Sequence, residues 1–324
     1  MSPSTGASTL PPARDRRSVL LIAHTGRHDA IEVARGVAKR LMDPGLTVRL
    51  LTDEAEELRI SGTEVVDLGP DAARDCEIAL VIGGDGTILR GAELTRLAET
   101  PLLGVNLGHV GFLAEAEWDD LDTTVQAVIH RDYVVEQRLT VDVTVYQDGE
   151  VRSTGWSLNE ASVEKAARER MLEAVVEVDG RPLSRWGCDG VVFATPTGST
   201  AYAFSAGGPV VWPEVEALLL VPISAHSLFA RPMVTSPDST LAVEVLSGTE
   251  GGGVLWCDGR RTLDLPPGAR IEVRRGQHPV SLARLHQAPF TDRLVAKFDL
   301  PVTGWRGAAR RRRLNRASAE GDDA

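Results

Sequence analysis

The sequence predicts an α/β N-terminal domain with a parallel sheet, followed by a β-rich, sandwich-like C-terminal domain. Three observations carry that expectation. Through the first third, short apolar runs alternate with segments of helical spacing, the βαβ pattern of a covered parallel sheet. From about residue 133 the apolar period changes to two, with Asp-Gly turns between runs. The chain has 324 residues, enough for two domains.

Val19-Leu20-Leu21-Ile22-Ala23 reads as the first strand. Residues 29–41 carry Ile31, Ala34, Val37, Ala38 and Leu41 at helical spacing. Residues 46–51 and 64–68 are short strand candidates. Ile78-Ala79-Leu80-Val81-Ile82 reads as a buried strand, and the helix after it runs to Ala98. A strand over 101–106 and a helix over 118–130 complete an α/β nucleotide-binding domain, residues 18–132. Residues 139–146 then alternate with period two, and Gln147-Asp148-Gly149 turns the chain into a partner strand over 150–156. A second hairpin is expected from Met171 to Trp186, around Asp179-Gly180. Its face of Leu172, Ala174, Val176 and Val178 is expected to pack on a partner chain, because an isolated two-stranded ribbon is marginal in water; the alternative is that it covers its own domain's core. Strands over 191–194, 217–221, 241–246, 254–257 and 271–274 extend the β-rich domain, residues 133–289. The last apolar run, Leu294 to Phe298, is expected as a strand in a segment 290–305, with a return to the first domain open to it. Residues 1–17 read as a disordered leader. Residues 306–324 read as a disordered tail, in which Arg310 to Arg313 are followed by acidic residues.

The formal net charge of −11 leaves no global basic field for nucleic acid. Three well-separated cysteines, Cys76, Cys188 and Cys257, lack metal-ligand spacing and fit a reducing cytoplasm. No apolar run is long enough to span a membrane, and the N-terminus lacks the apolar core of a signal peptide.

Gly83-Gly84-Asp85-Gly86-Thr87 is the most informative stretch. A glycine-rich turn between strand and helix can cradle phosphate on backbone N–H groups. Asp85 is out of place there unless it binds a metal or orients a hydroxyl, which suggests phosphoryl transfer to an alcohol. The plainer reading makes Asp85 a helix N-cap. Asn106-Leu107-Gly108-His109-Val110-Gly111-Phe112-Leu113 follows a strand end, where α/β proteins place ligands. Asn159-Glu160 suits sugar hydroxyls or a base edge, although an exposed turn explains a dipeptide as well. Thr195-Pro196-Thr197-Gly198-Ser199-Thr200-Ala201-Tyr202 is rich in hydroxyl donors, and Tyr202 offers a ring for stacking. The segment from Pro222 to Pro232 holds His226 and Arg231 in an apolar loop. Neither a Walker-type loop nor G-x-G-x-x-G occurs.

In this order, from about Ser18 to Phe298, these segments resemble the NAD kinase family of bacteria, with an actinobacterial look. The Gly83–Thr87 turn alone is shared with diacylglycerol and sphingosine kinases. The resemblance implies the NAD kinase/diacylglycerol kinase-like fold and phosphorylation of the 2′-hydroxyl of the adenosine ribose of NAD, giving NADP. It implies ATP or polyphosphate as donor, and a divalent cation, Mg²⁺, carried largely by the nucleotide phosphates. Asp85 is implied as the catalytic acceptor. Asp85, Gly86, Arg90, Asn159, Glu160, Arg170, Asp189, Thr200, Ala201, Tyr202, Ala203, Phe204 and Ser205 are implied as NAD contacts. Gly83, Gly84, Thr87, Thr197, Gly198, Ser199, His226 and Arg260 are further pocket candidates, and Arg260 stands where some relatives carry glutamine. The resemblance also implies a homo-oligomer, dimer or tetramer, with Arg170 and Asp189 completing a neighbour's site. It implies neither a nucleic-acid partner nor a membrane. A lipid kinase of the same superfamily and a non-catalytic nucleotide sensor remain as alternatives.

Overall fold

The structure is a computed structural model that describes residues 17–108, 111–117, 121–167, 170–247, 252–285 and 289–302. Residues 1–16 of the expected leader and the tail beyond 302 lie outside it, as do His109, Val110 and residues 118–120, where a helix start was expected. The first part of the chain gives β1 (Ser18–Ala23), α1 (His28–Met42), β2 (Thr47–Leu51), α2 (Thr52–Leu58), β3 (Glu64–Val66) and β4 (Ile78–Ile82). It continues through α3 (Asp85–Thr95), β5 (Leu102–Asn106), β6 (Ala116–Glu117), α4 (Leu121–His130) and β7 (Val134–Arg138). Then come β8 (Val141–Gln147), β9 (Glu150–Ser157), β10 (Glu160–Lys165), β11 (Leu172–Val178), β12 (Arg181–Cys188) and β13 (Gly190–Ala194). The remainder is α5 (Tyr202–Ser205), β14 (Leu218–Ile223), β15 (Met233–Thr235), β16 (Leu241–Val245), β17 (Gly253–Cys257), β18 (Arg261–Leu265), β19 (Arg270–Arg275), β20 (Val280–Arg284) and α6 (Phe290–Phe298).

The first sheet has the order β3-β2-β1-β4-β5-β20-β7, parallel except for β7, with β6 beside β5. Every residue of β1 is buried because both faces are covered. Val19 and Leu21 face the core under α1 and α4, while Leu20 and Ile22 face the core under α3. The strand order reverses between β1 and β4. Their carboxyl ends therefore flank the crevice in which open α/β sheets bind ligands.

Two six-stranded antiparallel sheets form the second part, β15-β14-β13-β10-β17-β18 and β12-β11-β16-β19-β8-β9. Val143, Val176 and Val243 of one sheet share a core with Val163, Phe193 and Leu255 of the other. This is the expected sandwich.

Four expectations change. The run Leu294 to Phe298 lies in the helix α6, not in a strand. Phe290, Arg293, Leu294, Lys297 and Phe298 recur at three- and four-residue intervals, and Asp299 closes the helix in the left-handed conformation. The segments that join the first sheet are β7 and β20, from the two ends of the span 133–289. The 171–186 hairpin is no free ribbon. β11 pairs with both β12 and β16, and Leu172, Ala174 and Val176 are wholly buried in their own sandwich core. Arg17 belongs to the fold rather than to a leader: its guanidinium binds Glu77 at 2.6 and 2.7 Å and the Val128 and Ile129 carbonyls at 2.7 and 2.6 Å.

Candidate functional site

β4 delivers the Gly83–Thr87 turn to the crevice beside β1. Gly83 has φ 154°, and a Cβ there would lie 2.5 Å from Thr87 Oγ1, so this glycine is required by the turn itself. Gly84 and Gly86 differ, because a Cβ on either meets nothing within 4 Å. Their faces are open to a ligand. The N-cap of α3 is Gly84, without a side-chain cap bond. Asp85 is therefore not the cap. Its Oδ2 accepts the Phe112 N–H at 3.1 Å and its Oδ1 the Leu113 N–H at 3.2 Å. Phe112 and Leu113 thus cradle the Asp85 carboxylate, and a Cβ on Gly111 would come within 2.4 Å of Asp85 Oδ1.

Leu158 enters the same core as Ile88, Leu89 and Leu113, which brings Asn159 and Glu160 towards α3. Both residues are buried, so they are not an exposed turn. Asp258, in the turn after β17, organises them. Its Oδ1 accepts the N–H of Asn159 at 2.7 Å and of Glu160 at 3.4 Å, and its Oδ2 accepts that of Leu158 at 3.0 Å. Arg261 closes the far side at 2.7 Å. Burial, and then the Asp258 charge, push the Glu160 carboxyl up to about 8, against the hydrogen bond from the Tyr202 N–H. Glu160 Oε2 has no hydrogen-bond partner. A buried oxygen in that state is suited to a ligand hydroxyl.

The Thr195–Ser205 segment closes over Asn159. The Thr195 N–H donates to the Asn159 carbonyl at 2.9 Å, and Gly198 packs so tightly that a Cβ would fall 2.0 Å from that oxygen. Several hydroxyls hold the loop rather than face outward. Thr195 Oγ1 donates to the Leu158 carbonyl, Ser199 Oγ to the Val211 carbonyl, and Thr200 Oγ1 to the Thr197 carbonyl. Thr197 is buried, Ala201 half-buried and Ala203 buried, while Tyr202, Phe204 and Ser205 are exposed on α5.

A second group lies beside Tyr202. Glu164 hydrogen-bonds the Tyr202 hydroxyl, and burial and then this carboxylate raise the phenol above its ordinary range. Asp189 pairs with Lys165 at 2.6 Å, and that bond holds its carboxyl below the usual range. Asp189 also senses His226, an exposed residue whose N–H donates to the Gly187 carbonyl at 2.8 Å. Arg170 is exposed at the entrance to β11.

Two expected pocket arginines engage carboxylates. Arg90 binds Glu54 at 2.5 Å and Asp53 at 2.6 Å. Glu54 also accepts the Ala23 N–H, and burial raises it to about 7. Arg260 meets Glu93 of α3 at 3.1 Å and so ties the second part to the first. A cavity of about 430 Å³ opens between these parts, with Phe112 and Leu113 on one wall and Thr197 and Thr200 on another. Among the described residues, no three His, Cys, Asp or Glu side chains are grouped to hold a metal.

Residues 19–133 match the family model described as ATP-NAD kinase N-terminal domain, and residues 158–285 match ATP-NAD kinase C-terminal domain. The chain belongs to the NAD kinase family. Its relatives include NAD kinase 2 of Streptomyces coelicolor, 64% identical over 294 residues that cover 90% of this chain and 97% of that protein. The NAD kinase of Thermobifida fusca is 62% identical over 305 residues, covering 91% and 93%. In fold the chain is similar to yeast NADH kinase complexed with NADH, with a TM-score of 0.80, 24% identity and 90% of each chain covered. It is also similar in fold to an NAD kinase from Archaeoglobus fulgidus in complex with ATP, with a TM-score of 0.64, 24% identity, and 88% and 98% covered. The chain is a phosphotransferase of the NAD kinase kind.

For this NAD kinase family member, Asp258, Glu54 and Glu164 were missed as organisers of the site. An Asp-Gly turn at 258–259 is an ordinary hairpin signal, and nothing local marks its carboxylate as serving residues 99 and 100 positions away.

Proposed function

We propose that this chain transfers the terminal phosphoryl group of ATP, or of inorganic polyphosphate, to the 2′-hydroxyl of the adenosine ribose of NAD. The observation that carries this reading is the Asp85 carboxylate, fixed by two backbone N–H groups beside the open faces of Gly84 and Gly86. A carboxylate held among phosphate-binding glycines is costly for a protein that only binds nucleotide. It is useful to one that must aim a hydroxyl at phosphorus. Buried, polar Asn159 and Glu160 favour a sugar acceptor over a lipid.

In the proposed step the ribose oxygen attacks the terminal phosphorus. The bond from that phosphorus to the bridging oxygen breaks, ADP or the shortened polyphosphate leaves, and the hydroxyl proton passes to Asp85. In a loose transition state that proton leaves late, so orienting the hydroxyl comes first. Asn159 and Glu160 hold the sugar, and Tyr202 with α5 flanks the nucleotide. Arg170 and Asp189 complete the dinucleotide site of a neighbouring copy, with His226 beside Asp189. Both Asp85 oxygens already accept N–H groups, so a divalent cation, magnesium by preference, fits best as a passenger on the donor phosphates, where it neutralises charge.

The same reading makes the enzyme cytoplasmic and a homo-oligomer, a dimer or tetramer. In support, Cys76, Cys188 and Cys257 are free thiols, and no helix among the described residues is long and apolar enough to cross a membrane. Leu183, Leu228 and Phe229 are exposed near β12, where Trp186 donates to the Phe229 carbonyl, and they suit a contact between copies. The deciding experiment supplies NAD, diacylglycerol, ATP and Mg²⁺ together. NADP with untouched lipid is expected, and phosphorylated lipid without NADP would reject the reading.

A further inference from the structure

The loop that holds Asp85 is itself held from behind. Phe112 and Leu113 point their N–H groups at the Asp85 carboxylate. The carbonyls of Phe112 and Ala114 are taken by one guanidinium: Arg293 Nη1 donates to them at 3.2 and 2.9 Å. Arg293 Nη2 binds Glu115 Oε2 at 2.5 Å. Glu115 is fixed in turn, with 2% of its side chain exposed, by Arg284 Nη1 at 2.8 Å and by the Leu285 N–H at 3.1 Å. A planar fork with several donors suits this double duty, since it spans two carbonyls and a carboxylate without reorganising.

Arg293 stands on α6, beyond residue 285, where the family match ends. That helix has no fully buried residue. It is docked by aromatic contacts to both halves of the site: Phe290 and Phe298 lie 6.1 and 5.8 Å from the Phe112 ring, and Phe298 lies 4.7 Å from Phe204.

We propose that Arg293 is a positioning residue for phosphoryl transfer, acting on Asp85 through the main chain of residues 112–114. Pulled by its carbonyls on one side, this strand of loop presents its N–H groups to the carboxylate on the other. The proposal rests on the reading of Asp85 as the group that aims the hydroxyl.

The test is a double-mutant cycle on the full chain, with Asp85→Asn and Arg293→Ala read as NADP synthesis. Arg293→Ala alone should lower kcat about ten- to a hundred-fold, the scale of a small misplacement, and leave the KM for NAD within about twofold. In the Asp85→Asn background the same change should cost less than about twofold, because the group it positions is already impaired. Arg293→Lys should retain an intermediate kcat, since an ammonium can take a carbonyl but not the whole set. If Arg293→Ala proves insoluble, the cycle is run with Arg293→Lys and the same criterion. Equal factors in both backgrounds, or a raised KM with kcat intact, would overturn the proposal. Normal turnover by Asp85→Asn alone would instead reject the reading of Asp85, whatever Arg293 does. Asp292→Ala, an exposed neighbour on α6, should match the parent.

Discussion

The Asp258 carboxylate accepts the Asn159 N–H at 2.7 Å, across 99 residues of sequence. That contact joins the turn after β17 to the start of β10, and three successive N–H groups converge on the same side chain. Asp258→Asn should cost about 3 kcal/mol in urea unfolding with an unchanged m-value, as for a broken buried ionic network. The KM for NAD should rise as Asn159 and Glu160 lose their register. An unfolding midpoint like that of the parent would show that Arg261 and Asp258 do not brace the segment.

The three glycines of the turn should separate into two kinds. Gly83→Ala forces a side chain onto φ 154° and into Thr87, and should lose about 1–3 kcal/mol. Gly86→Ala lies in α3 with open space before it, so it should fold as well as the parent or better, by up to ~1 kcal/mol. Its NADP synthesis should nevertheless fall, because the methyl group enters the space where phosphate approaches. Full activity in Gly86→Ala would mean that this space is not used.

Much of this was legible in the sequence. The alternation of apolar runs with helical spacing located β1, α1, β4 and α3, and the period-two runs located β8, β11 and β16. The motifs 83–87, 106–113, 159–160 and 195–202 were each visible, and the structure joins them through Leu113, the Asn159 carbonyl and Leu158, which no motif included. What stayed hidden is long-range. β7 and β20 fall inside the span expected for the second domain and are not among its expected strands, yet they pair with each other at the edge of the first sheet. The Val176 face fits a partner chain as well as its own sandwich until β16 is known to flank β11. Arg90 and Arg260 are expected to line the pocket, and local sequence cannot show that Glu54 and Glu93 pair with them.

Glu160 gives a pH dependence of stability. Its folded pKa of about 8 lies above the ordinary 4.5, so between those values the folded chain holds a proton that the unfolded chain has released. Stability should therefore fall as pH rises from 4.5 through 8, by up to a few kcal/mol, and stay low above. Glu160→Gln keeps the shape without the titration and should flatten this part of the profile in thermal melts. A parent profile that rises over the same window would contradict the burial argument.

Whether Asp85 aims the ribose hydroxyl is decided most directly by the turnover of Asp85→Asn. With saturating NAD and ATP, kcat should fall about 10²-fold or more, the low end for a positioned acid–base group. NAD affinity by titration should stay near that of the parent, because the amide keeps the shape and still bonds a hydroxyl. Near-normal kcat with bound NAD would remove Asp85 from the chemistry.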